Sequence, residues 1–109
     1  MSVGLFRYNG NIYDDDSEVT LSVNISTEAF YLKYWERARK ELGIKYIQEG
    51  AEFNKSKLKD VLKELDLLRN WAIKNLTGKE LEYMKGRIEN LQEVIPNAFV
   101  DEETILYII

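Results

Sequence analysis

The chain has 109 residues, 45% hydrophobic and 31% charged, with neither cysteine nor histidine. A single domain of this size can bury a core without covalent staples, and the lack of cysteine removes disulfide and thiolate chemistry. Without histidine, the commonest general base and the commonest metal ligand are both missing, which excludes hydrolytic triads, zinc centres and histidine-dependent nucleases.

The net charge of −4 is unevenly spread. Residues 1–30 set Arg7 against Asp14, Asp15, Asp16, Glu18 and Glu28, residues 31–93 are nearly balanced, and residues 94–109 carry only Asp101, Glu102 and Glu103. Acidic ends repel nucleic acid and anionic lipid and attract a basic partner. No apolar run reaches the ~18 residues of a membrane span, and Met1-Ser2-Val3-Gly4 does not begin a secretory signal. A cytoplasmic protein with no membrane or nucleic-acid partner is expected.

In chain order, Ser2 to Tyr8 alternates as a strand, with Val3, Leu5 and Arg7 on one face and Gly4, Phe6 and Tyr8 on the other. Asn9-Gly10-Asn11 signals a turn, and after Ile12 and Tyr13 the run Asp14–Asp16 is too charged to bury, so it marks a loop. Glu18 to Ile25 alternates again, with Val19, Leu21, Val23 and Ile25 on one side, which predicts a half-buried strand antiparallel to the first. Ser26 or Thr27 can cap a helix running to about Leu42, with Gly43 just past its end. Its inner face is aromatic, formed by Phe30 or Tyr31, then Tyr34, Trp35, Ala38 and Leu42. Core packing explains such a stripe better than a ligand box does, because large rings bury the most area.

Ile44 to Gln48 predicts a short strand ended by Gly50. The longest amphipathic run follows, from Asn54 to Leu76, with Leu58, Val61, Leu62, Leu65, Leu68, Ala72 and Leu76 on one helical side. Asn54 suits the N-cap, and Phe53 can staple onto Leu58. Lys55, Lys59 and Lys63 read as a solvated edge, since acids intervene and no aromatic is placed to stack a base. Thr77-Gly78-Lys79-Glu80 has the form of a capping box, opening a helix to about Glu93 with Leu81, Met84, Ile88 and Leu91 inside and Pro96-Asn97 as its stop. The two helices should form an antiparallel hairpin. Thr104 to Ile109 is a continuous apolar run, expected as a central strand buried on both faces, with a further short strand open at Ala98 to Val100.

The expected class is α+β: one small, mostly antiparallel sheet of three to four strands covered by three helices, in the order β-β-α-(β)-α-α-β, as a single domain over residues 1–109. Trp35 and Trp71 should be largely buried.

Chemistry-bearing constellations are few. Asp14, Asp15, Asp16 and Glu18 form the one dense carboxylate cluster, but the pattern lacks the Gly and closing Glu of a calcium loop. The six glycines are scattered, so no phosphate loop exists, and no Ser or Thr has a neighbouring base. The expectation is no catalytic residue, no metal and no cofactor. A metal-assisted carboxylate enzyme and a non-catalytic adaptor or subunit that self-associates through its sheet edge or aromatic helix both stay open as alternatives.

Met1-Ser2-Val3-Gly4-Leu5, Tyr13-Asp14, the aromatic first helix, Leu62-Lys63-Glu64-Leu65-Asp66-Leu67-Leu68 and Phe99-Val100 before a late strand together resemble an immunity protein of a bacterial polymorphic toxin or contact-dependent growth inhibition system. The resemblance implies a small, acidic, cytoplasmic antitoxin that binds and blocks a cognate toxin domain, often a nuclease. Toxins that act on nucleic acid tend to be basic, because phosphate affinity requires it. The charged part of such a contact is expected from Asp14, Asp15, Asp16 and Glu18 together with Asp101, Glu102 and Glu103. Tyr8 and Tyr13 are the candidate aromatic anchors.

Overall fold

The computed structural model describes residues 2–10 and 13–109. Met1 of the N-terminal motif, Asn11 of the predicted turn and Ile12 after it lie outside the described residues. The described elements are strands β1 (Ser2–Tyr8) and β2 (Val19–Thr27), a helical rod of α1 (Glu28–Phe30), a π-helical turn (Tyr31–Trp35) and α2 (Glu36–Leu42), strand β3 (Glu52–Asn54), a 3₁₀ turn (Lys55–Lys57), helices α3 (Leu58–Asn75) and α4 (Gly78–Ala98), and strand β4 (Ile105–Ile108). The α+β class is as the sequence predicts: one antiparallel four-stranded sheet, in the order β2-β1-β4-β3, and three helical rods.

The sheet is two-faced. Val3 and Leu5 of β1, Leu106 and Ile108 of β4 and Phe53 of β3 point into one core with Val61, Leu65, Leu68, Met84, Ile88, Leu91 and Ile95 of the α3–α4 hairpin. Phe6, Tyr8, Ser22, Asn24, Ile105 and Tyr107 alternate to the opposite face, which no helix covers; these residues are half-buried or exposed. β4 is central, as expected, but it is buried on one face only, with Ile105 38% exposed. Burial on both faces would need helices on both sides of the sheet, and here all three pack on one. Likewise Val19, at the far end of the edge strand β2, is 50% exposed although it lies in the predicted inward row. A register shift between Val3 and Gly4 leaves Ile25 as the extra residue, so that Ile25 and Ser26 are both buried at the start of the helical rod.

Thr27 caps that rod by accepting from the Phe30 amide (3.3 Å), and Gly43 ends it at φ 70° with its amide on the Arg39 carbonyl. The π turn resolves the choice between Phe30 and Tyr31. Its wider turn brings both pairs into use: Phe30 packs with Tyr34 and with Tyr83 of α4, while Tyr31 and Trp35 stack inside the core. Trp35 and Trp71 are 1% and 5% exposed, and Trp71 lies between helices, donating to Glu41 (3.1 Å) beneath the Arg37 guanidinium.

The predicted strand at Ile44 to Gln48 is instead a series of bends. The Glu64 carboxylate, projecting from α3, accepts from the Lys45 (2.7 Å), Tyr46 (2.9 Å) and Ile47 (3.1 Å) amides. Those donors are thereby taken out of sheet pairing, and Ile44 and Ile47 are free to enter the core. The pairing strand comes later, at β3, where Phe53 meets Tyr46 and Phe99. Asn54 does cap, but it caps the 3₁₀ turn that precedes α3, through the Ser56 amide.

Leu76-Thr77 joins α3 to α4, and the pairs Arg69–Glu89 and Asp66–Gln92 show the hairpin to be antiparallel. Thr77 stands at the N-cap, but its hydroxyl makes no capping bond. Gly78 begins α4 at φ 59°, which departs from the geometry that would bring the N3 amide to Thr77. Pro96 does not stop α4, which continues to Ala98. A proline inside a helix forfeits its own amide bond but leaves the later ones available. Ala98 to Val100 is therefore helix end and loop rather than a strand.

Candidate functional site

β1 and β4 are antiparallel neighbours, so the end of one adjoins the start of the other. This brings the β1–β2 loop and the α4–β4 loop to one end of the sheet. The pairing places Tyr8 and Tyr107 side by side on the uncovered face, ring centroids 5.7 Å apart and edge to face, with Phe6 continuing the row. Gly4 lies under the Phe6 ring, and a Cβ there would come within 2.9 Å of it.

The described residues of both loops make short local bonds. Asn9 closes the first, its side chain accepting from the Glu18 amide (2.7 Å) and its own amide donating to the Glu18 carbonyl (2.9 Å); the Ser17 amide donates to the Asp14 carbonyl. In the second, Asp101 Oδ1 accepts from the Glu103 amide (2.9 Å) and the Thr104 hydroxyl (3.0 Å), and that hydroxyl accepts from the Asp101 amide. Arg7, on the inner face, ties the second loop to the sheet. Its guanidinium donates to the Ala98 carbonyl at the end of α4 (2.7 Å) and, twice, to Thr20. A cation at a helix C-terminus satisfies an orphan carbonyl and the helix dipole together.

Between the loops lies an open cleft of about 730 Å³, walled by Tyr8, Tyr13, Ile105 and Tyr107 and rimmed by Asp101 and Glu103. Of the sequence-predicted residues, Tyr8, Tyr13, Asp101 and Glu103 therefore line one cleft. Asp14, Asp15 and Asp16 are exposed on the loop that supplies Tyr13, and Glu18 sits at that loop's base. Glu102 turns away to an exposed ion pair with Lys55 (3.5 Å). Tyr13 is 87% exposed. Burial, followed by the neighbouring Glu52, Tyr13 and Tyr8, raises the Tyr107 phenol above its ordinary pKa, so Tyr107 stays neutral and is no base near neutrality. Among the described residues, no three acidic side chains converge as a metal centre.

Tyr107, Ile105 and the pinning Arg7 are the site residues that the sequence reading missed. Treating Thr104 to Ile109 as a continuous apolar run hid a usable signal, the alternation of Ile105 and Tyr107 with Leu106 and Ile108. Comparison of the chain with family models, with curated proteins and with solved structures gives no match.

Proposed function

We propose that the protein is a non-catalytic inhibitor that neutralises a cognate, basic toxin domain of the nuclease type by covering its working surface, as the immunity-protein resemblance implies. One observation carries the reading: two carboxylate-bearing loops, far apart in sequence, adjoin a single aromatic face that no helix covers. Aromatic residues framed by charge are the usual anatomy of a protein-recognition surface. Negative potential at the rim steers a basic partner and supplies carboxylates where that partner would hold phosphates. Among the described residues no helix is long and apolar enough to cross a membrane, and the inhibitor is taken to act in the cytoplasm.

The test is co-expression with the product of the adjacent gene. Rescue of growth from a toxic C-terminal domain is expected, and a neighbour that is harmless, or a toxin that stays lethal, would sink the reading. With a partner in hand, replacing Asp14, Asp15 and Asp16 by Lys should slow association by ~10-fold or more and flatten its salt dependence. An unchanged rate removes that loop from the contact.

A second reading, a subunit that self-associates, is favoured by β2, which is an edge strand of nine residues without charge or proline. Light scattering on the purified chain separates the two, because a stable homo-oligomer indifferent to the neighbouring gene product favours self-association.

A further inference from the structure

We infer that the cleft between the two loops receives an arginine side chain of the protein partner; this rests on the inhibitor reading above. The three acids of the α4–β4 loop have different tasks. The Asp101 carboxylate holds the turn through Oδ1, and Glu102 is paired with Lys55. The carboxylate of Glu103 has no hydrogen-bond or ion-pair partner among the described residues, and Glu103 is one of the residues that line the cleft.

Tyrosine lines the same cleft. Tyr8, Tyr13 and Tyr107 supply π surface on which a flat cation stacks. A guanidinium is planar, weakly hydrated and forked, so it can lie on a ring and still reach a carboxylate. An ammonium is compact and strongly hydrated and gains less from the same walls.

The wall also contains Arg7, whose charge opposes a guest cation. Its three nitrogens are occupied by Ala98 and Thr20, which hold it to the inner side of the sheet. Asp101 and Glu103 outnumber it at the rim, with Asp14, Asp15 and Asp16 on the adjoining loop. A cleft of about 730 Å³ is larger than one side chain needs, so the arginine would enter on a protruding loop of the partner together with its neighbours.

The probe is N-acetyl-arginine amide, titrated into the ¹⁵N-labelled chain and followed by amide chemical shifts. Saturable shifts at Tyr8, Thr104, Ile105 and Tyr107 are expected. The citrulline analogue, equal in shape but uncharged, should bind at least about tenfold more weakly, and the lysine analogue should also bind more weakly. Glu103→Gln should weaken arginine binding several-fold, with Glu82→Gln near the start of α4 as the silent control. Tyr107→Leu should weaken it as well, and a Glu103→Gln chain that binds as tightly as the parent overturns the inference. Shifts that do not saturate, that centre outside the cleft, or that citrulline or lysine reproduces at equal affinity overturn the inference. Growth rescue without arginine binding rejects the cleft assignment alone, whereas arginine binding without rescue keeps the cleft and rejects the inhibitor.

Discussion

Glu64 shows how much a single buried side chain decides. Sequence placed it on the polar side of a leucine-rich helix, yet its carboxylate holds three consecutive amides and thereby turns a predicted strand into a core-filling bend. In Glu64→Gln, the side-chain amide must either face the Lys45 amide as donor against donor or surrender the other two bonds. The expected cost is about 2–3 kcal/mol in urea unfolding; a loss under ~0.5 kcal/mol would mean that water replaces the carboxylate. Trp35 and Trp71 were legible from helical spacing, and each truncation to Ala should cost ~3–5 kcal/mol. Tyr31 carries most of the pH dependence on the alkaline side. Burial is the main cause that pushes its phenol up to about 12; the Glu49 amide bond opposes the shift, and the Glu36 and Glu49 carboxylates add to it. Below pH 10 the phenol is protonated whether the chain is folded or unfolded, and its contribution is complete. As pH rises from 10 to about 12, the unfolded chain sheds the proton first and stability falls. The expected loss is about 1–2 kcal/mol after allowance for solvent screening. Denaturant unfolding at stepped pH checks this, and Tyr31→Phe should flatten the slope, leaving the smaller contribution of Tyr107, which is shifted the same way.

At the level of elements, periodicity was a good guide wherever one face of an element meets the core, as in β1, α3 and α4. The aromatic helix face and Ile25 are in the core as expected, but periodicity did not reveal where the backbone departs from a regular period. The π turn changes the helical phase within the aromatic stripe, and the Val3/Gly4 register shift changes strand phase; neither leaves a mark in a hydrophobic pattern. The end of α4 was misplaced because proline was read as a stop rather than as a single missing donor. Gly86 lies inside the same helix with open space where a Cβ would go. Gly86→Ala should therefore raise stability by ~0.5–1 kcal/mol through lower unfolded-state entropy and better helix propensity. Thermal unfolding reads this directly, and a destabilised variant would show that this side of α4 is more crowded than its surroundings suggest.

For the molecule as a whole, the charge map was visible in the sequence because the net negative charge is concentrated at its two ends. The cleft was not visible, since it exists only through the pairing of β1 with β4, and Tyr107 gains its meaning only beside Tyr8. The same pairing has a consequence for the order of assembly. The two middle strands of the sheet come from opposite ends of the sequence, so joining them closes a loop of almost the full chain, a costly and late event in folding. During synthesis, residues 2–8 must wait without their central neighbour until residues 105–108 have left the ribosome, while the α3–α4 hairpin can form from local contacts beforehand. A nascent chain stalled just short of Thr104 would then be helical but lack the Tyr8–Tyr107 face, so that the proposed contact surface arrives with residues 104–108 rather than accumulating along the way.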